Sequence, residues 1–204
     1  GWLVRMREAS RFEDELKEEQ RRLVNRLRAV LQRYHAELLA LLPSADEPWF
    51  WDLVEQAPTP AAGKRLSPRR IKKLLSEHRI RRLTADDVVA RLREPELPVG
   101  PGVIEACSEH ALLLVPRLHL LAQQLGRCQA QVQRLLDELD SGEEPAQTNE
   151  HRDVRILRSL PGAGRYVVAT MLAEAWRPLE NTDYRTLRAV CGAAPVTKQS
   201  GRMR

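Results

Sequence analysis

Residues 104–139 read IEACSEH ALLLVPR LHLLAQQ LGRCQAQ VQRLLDE L, and the register of that string decides the architecture. Ile104, Ala111, Leu118, Leu125, Val132 and Leu139 share one heptad position; Cys107, Leu114, Leu121, Cys128 and Leu135 share the complementary one. Apolar residues at both positions lay a continuous seam along one side of a helix, the pattern of a coiled coil. At 1.5 Å per residue the segment would be roughly 54 Å long. Pro116 falls off the seam but within the helix, where it removes a backbone hydrogen bond, so a kink is expected near Ala111–Leu112. Cys107 and Cys128 sit on the seam and read as small apolar core residues. Cys107, His110 and His119 are residue types that bind metals, but burial on a helix face accounts for the cysteines, and no metal ligand is assigned.

Outward toward the N-terminus, residues 2–42 read as a second long helix. Leu16, Leu23 and Val30 repeat every seven residues, as do Leu27, Tyr34 and Leu41, giving one apolar stripe on a charged surface. Glu13, Asp14 and Glu15 read as a solvated face of it. Pro43 and Pro48 are expected to end the helix, Trp49 to Val54 to form an aromatic hinge packed on a core, and Pro58, Pro60 and Gly63 to mark a linker. Ser67-Pro68 is a helix start, with a capping hydroxyl and proline in the first turn. Thr84 caps a second short helix, with Asp87 three residues on. Two short basic helices in succession have the outline of a helix-turn-helix, an outline that any structural helical hairpin shares.

The expected fold is therefore mainly α: a long antiparallel coiled-coil rod over residues 1–140, with helices 2–42 and 104–139 and a basic helical insert, 64–93, at its tip. Residues 141–150, with glycine, proline and acids, read as a linker. A compact helical C-terminal domain, 151–204, follows. The seam closes either within one chain or between two; the spacing allows both.

Composition narrows the partners. Few aromatics, with many Leu, Ala, Arg and Glu, favour helices over strands. No apolar run is long enough to span a membrane, and the start has no signal-peptide core. An odd count of cysteines without metal-type spacing fits a reducing compartment, so the cytoplasm, in association with the nucleoid, is the expected location. The net charge of +5 conceals alternating blocks: −2 over residues 1–63, +8 over 64–93, −7 over 94–150 and +6 over 151–204. Clustered cations bind phosphate through counterion release, or pair with acidic blocks of the same chain. Arg69, Arg70, Lys72 and Lys73 on the first basic helix are the candidates there.

Chemistry is concentrated near the end of the chain. Ile156-Leu157-Arg158-Ser159-Leu160 is followed by Pro161-Gly162-Ala163-Gly164-Arg165, and an apolar helix resumes at Tyr166. A helix broken by Pro-Gly-x-Gly and then resumed is the helix-hairpin-helix pattern. Gly162 and Gly164 permit close backbone approach, and the amides opening the next helix can hold a phosphate. Arg158 and Arg165 are candidates for charge-assisted contacts. Such contacts position a duplex without reading its sequence. A plain helix–helix corner is the alternative. Tyr184 to Val190 reads as another short helix, and beyond it Thr197-Lys198-Gln199-Ser200-Gly201-Arg202 is a polar tail. A serine becomes a nucleophile beside a base or beside cations that stabilise developing charge; Lys198, Arg202 and Arg204 supply charge near Ser200, and none is an obvious base.

Residues 151–201 resemble the C-terminal domain of the DEDD-type insertion-sequence transposases (the IS-one-ten family), which are bridge-RNA-guided serine recombinases. The resemblance rests on Leu160-Pro161-Gly162-Ala163-Gly164, on Ala173-Glu174, and on Gly192-Ala193-Ala194-Pro195-Val196-Thr197-Lys198-Gln199-Ser200-Gly201. Cys191-Gly192-Ala193-Ala194 departs from the family's more usual Ala-Gly-Leu-Ala. The resemblance implies that Ser200 attacks a DNA phosphate and forms a phosphoserine linkage. It also implies that coiled coils assemble protomers into a dimer or tetramer and that a non-coding RNA specifies target and donor DNA. The family carries an N-terminal nuclease-like domain with three Asp and one Glu that bind Mg2+; no carboxylate here is assigned to it. The chain opens on Gly1 and stops three residues after Gly201, so it reads as a piece of a longer transposase that binds DNA but does not recombine it alone. The competing expectations are a non-catalytic helical DNA- or RNA-binding scaffold assembled by coiled coils, and an assembly protein with incidental basic patches.

Overall fold

The computed structural model describes residues 2–95, 98–140 and 149–193. Among these, every regular element is a helix: α1 (Trp2–Gln32), α2 (Ala36–Leu39), α3 (Pro48–Gln56), α4 (Pro60–Lys64), α5 (Pro68–Glu77), α6 (Ala85–Leu92), α7 (Pro101–Asp140), α8 (Asn149–Ser159), α9 (Arg165–Glu174), α10 (Trp176–Glu180) and α11 (Tyr184–Val190). The mainly helical expectation stands. No helix among the described residues is long and apolar enough to cross a membrane.

The chain divides into two compact units that do not follow chain order. One joins residues 1–14 to 127–204, and the other is 15–126. The C-terminal helices thus share a unit with the first turns of the chain, whereas the sequence drew its boundaries at 140 and 150. Of the expected linker, 141–150, residues 141–148 lie outside the described residues, and α8 has begun by Asn149.

In the first unit, the last turns of α7, together with α8, α9 and α10, enclose an apolar core. It holds Val132, Leu135, Leu136, Val154, Leu157, Val168, Ala169, Leu172 and Trp176, with Met6 and Ala9 from α1. The Cys128 thiol lies 3.4 Å from the Ala9 carbonyl, and Trp2 Nε1 donates to the Leu135 carbonyl at 3.0 Å. Those two contacts make α1 and α7 antiparallel here. The heptad residues Cys128, Val132 and Leu135 are buried within the chain.

Alongside them, α9 runs antiparallel to α1 through a ladder of polar contacts. At its start, Arg165 donates to both Glu13 carboxylate oxygens, at 3.1 and 3.2 Å, and the Tyr166 hydroxyl donates to Asp14 at 2.9 Å. At its end, Arg7 Nε donates to the Ala173 carbonyl at 2.8 Å, and Arg11 forms a two-pronged pair with Glu174 at 2.9 and 3.1 Å. Acids therefore lie at the N-terminus of α9 and arginines at its C-terminus, the arrangement the helix dipole favours. This corrects the reading of Glu13 as part of a solvated face: it is 1% exposed and serves as the buried acceptor for Arg165.

In the second unit, α1 ends at Gln32 rather than near residue 42. The chain tightens through Arg33 N to Val30 O and Tyr34 N to Leu31 O, then turns at His35 into α2. Tyr34 is the reason: its ring is buried and its hydroxyl donates to the Pro58 carbonyl at 2.9 Å, which a straight continuation would forgo. The stripe of Leu16, Leu23, Leu27, Val30 and Tyr34 is buried as its spacing predicts.

The aromatic stretch forms α3, and Trp49, Phe50 and Trp51 are all fully enclosed. Trp51 Nε1 donates to the Ala45 carbonyl at 2.8 Å and Trp49 Nε1 to Glu47 at 2.8 Å, so both indoles keep a hydrogen bond. The expected linker at Pro58–Gly63 is instead packed structure, with α4 and α2 lying against α6. Gly63 is buried there, and a methyl at that position would come within 3.3 Å of Leu92.

Candidate nucleic-acid interface

The first candidate surface is the α8–α9 corner. Leu157 and Val154 on α8 face the core, leaving Arg155 and Ile156 exposed. Pro161 has no amide to continue the helix, and Gly162 takes φ of 83°, a left-handed conformation that side chains disfavour. Ala163 N closes the turn onto Leu160 O at 3.1 Å, and Gly164 N onto Gly162 O at 3.0 Å. Gly164 is then the extended N-cap of α9, without a capping side chain. A methyl group on Gly162 or Gly164 would meet nothing within 4 Å, so the corner presents bare backbone to solvent.

The arginines expected to flank that backbone are committed elsewhere. Arg165 holds Glu13, and Arg158 Nη2 donates to Asp137 on α7 at 2.9 Å. Among the described residues of α8 to α11, Arg155, Arg177, Arg185 and Arg188 are exposed, and sequence reasoning did not single them out. Arg188 stacks over the Tyr184 ring at 5.6 Å. Their signal was present in the +6 block, but charge alone does not say which arginines are internal partners. Lys198, Ser200 and Arg202 lie outside the described residues.

The second candidate surface is α5, in the other unit. Ser67 Oγ accepts from Arg70 N at 3.4 Å and Pro68 opens the helix, as the sequence predicts. Ile71, Leu74 and Leu75 are buried against α3 and α6, so Arg69, Arg70, Lys72 and Lys73 all face solvent. Arg70 Nε donates to Gln56 at 2.8 Å, and Lys73 pairs loosely with Glu77 at 3.7 Å. An open depression of about 490 Å³, lined by Arg69, Arg70 and Lys73, lies on one side of the helix. Another of about 560 Å³, with Lys72, Arg79 and Arg81, lies on the other. Arg79 and Arg81 extend the surface beyond the four residues the sequence marked.

Residues 154–204 match the model of the Transposase IS116/IS110/IS902 family. The "Mini-circle putative transposase for IS117" of Streptomyces coelicolor is 30% identical over 188 residues, covering 88% of this chain and 42% of that protein. "Putative transposase y4uE" of Sinorhizobium fredii is 41% identical over 76 residues, 37% of this chain and 21% of the relative. The "Insertion element IS110 uncharacterized 43.6 kDa protein" of Streptomyces coelicolor is 27% identical over 197 residues, 93% of this chain and 44% of the relative. The chain thus spans less than half the length of each. No solved structure matches it significantly.

Proposed function

We propose that this chain is the nucleic-acid-handling part of a DNA transposase, and that Ser200 is its nucleophile. The carrying observation is the family match over residues 154–204, which takes in both the glycine corner and Ser200. On this reading the bare backbone at Gly162–Gly164 lies along a DNA strand and the outward arginines add charge. Ser200 Oγ forms an ester with a DNA phosphate as a backbone P–O bond breaks, and the proton lost by the serine is matched by one gained at the leaving deoxyribose oxygen. Lys198 and Arg202 stabilise the phosphorane charge.

A guide RNA is the partner for the cationic face of α5. Self-association through coiled-coil surfaces belongs to the same proposal. Mg2+ belongs to a nuclease-like domain of the parent protein, and no carboxylate of this chain is assigned to it.

The test is a denaturation-resistant protein–DNA adduct in the full-length protein, given supercoiled donor and target DNA. The adduct is expected to disappear in Ser200→Ala. An adduct that persists in that variant removes Ser200 from the mechanism. The alternative, a binding scaffold whose α8–α9 corner is a structural joint, is favoured by the engagement of Arg158 and Arg165 in internal ion pairs. It predicts strong salt dependence of binding, no adduct, and no effect of Ser200→Ala.

A further inference from the structure

Beside the cationic helix α5, the second unit gathers a different set of groups. Asp52 and Glu55 lie three residues apart on α3, which puts both carboxylates on one side of that helix. His119, on α7, faces them. One ligand atom from each of Asp52, Glu55 and His119 falls within 4.8 Å of the other two. His119 Nε2 approaches Asp52 Oδ1 to 2.9 Å, while the other carboxylate oxygen, Oδ2, lies 2.6 Å from His78 Nε2 at the end of α5.

Two details point past a simple hydrogen-bonded cluster. His119 Nε2 is shielded from solvent yet makes no hydrogen bond, although Asp52 Oδ1 lies 2.9 Å away. In the neutral tautomer protonated at Nδ1, Nε2 carries a lone pair beside these carboxylates, which is the donor a metal ion takes. The ring is also fixed in place: Trp51 meets it edge-on, with centroids 5.4 Å apart.

We propose that Asp52, Glu55 and His119 bind a divalent transition-metal ion of the zinc type. One imidazole and two carboxylates form a nitrogen–oxygen set, which such ions accept and which Mg2+ or Ca2+, seeking oxygen alone, does not favour. The two carboxylate charges balance the ion. Metal–ligand bonds of about 2.0–2.2 Å require donor atoms roughly 3.3 Å apart in a tetrahedral site. The observed spacing reaches that by rotation of Glu55, whose side chain is exposed. His78 orients the ligating carboxylate through its outer oxygen, the usual support for a metal-bound carboxylate. The fourth position takes water. Such an ion ties α3 to α7 and is structural in effect, since binding only to the folded unit adds to its stability. The sequence concealed the site because its ligands come from distant helices, and the grouping it considered, Cys107 with two histidines, shares only His119 with it.

The experiment is a Co2+ titration of the chelator-stripped 204-residue chain, followed by visible d–d absorption, with Zn2+ competition and thermal melts. One equivalent of Co2+ is expected to give a saturable band that Zn2+ abolishes, with a rise in melting temperature on adding Zn2+. Glu55→Gln leaves the exposed position sterically unchanged and, because it removes a direct ligand, is expected to weaken binding by more than the roughly ten- to hundredfold that loss of a supporting partner costs. His119→Ala is expected to abolish the band, and His110→Ala to leave it intact. Absence of a band in the unsubstituted chain overturns the proposal. So does binding of undiminished affinity in Glu55→Gln, whose folding is checked by its circular dichroism.

Discussion

At the scale of single residues, the α8–α9 corner turns on what its arginines hold. Glu13 is buried, and Arg165 supplies its two-pronged ion pair. Removing Arg165 takes a charged partner from a buried carboxylate that keeps other contacts, Gln129 among them, so Arg165→Ala should destabilise the first unit by up to about 3 kcal/mol, measured by urea unfolding. A mere phosphate contact would instead lower DNA affinity and leave stability unchanged. Glu174 gives a pH-dependent counterpart. Its hydrogen bond and ion pair with Arg11 hold its carboxyl below the ordinary glutamate range. A folded value below the unfolded one means the contribution is present above the unfolded pKa and is lost as pH falls through the folded one. Unfolding midpoints should therefore drop on acidification below the ordinary glutamate range, and Glu174→Gln should flatten that drop. Neither pairing could be read from the sequence, because each joins α1 to a helix more than a hundred residues away. The charged positions themselves were legible, and only their partners were hidden.

At the scale of elements, helix ends carry the most readable information. Ser67 and Thr84 cap α5 and α6 where the sequence places them, and the Thr84–Asp87 capping box is complete. Short-range chemistry fixes such ends, which is why they were legible. The end of α1 was not, since it depends on Tyr34 reaching Pro58 across a fold the sequence does not display. The C-terminus of α5 is unusual in another way. Ile80 N bonds back to Leu75 O at 2.8 Å and Arg79 N to Ser76 O at 3.1 Å, the closure that normally takes glycine at its left-handed position. Here that position is Arg79, with φ of 55°. A side chain costs roughly 1–2 kcal/mol in this conformation. Arg79→Gly should therefore stabilise the second unit by about 1 kcal/mol in thermal or urea unfolding. If the α5 surface binds nucleic acid, the same substitution should weaken that binding and reduce its salt dependence. A gain in stability with unchanged affinity would take Arg79 out of the surface.

At the scale of the molecule, the decisive fact is that residues 1–14 belong with 127–204. The heptad pattern announced that two helices pair, but it did not reveal that the C-terminal helices would close over the same pairing. Met6 and Ala9 complete the core around Leu172 and Trp176, and Arg7 and Arg11 engage the end of α9. A chain starting at residue 15 should therefore lose amide-exchange protection across α8 and α9 while α3, α5 and α6 keep theirs. Equal loss in both regions would mean that the units do not fold separately. The same nesting imposes an order of events on synthesis. Residues 15–126 can fold as soon as they leave the ribosome, whereas the opening turns of α1 must wait until α9 has been made. During that interval Met6 and Ala9 lack their native cover on a nascent chain, so a stretch made long before α9 is among the last to be buried.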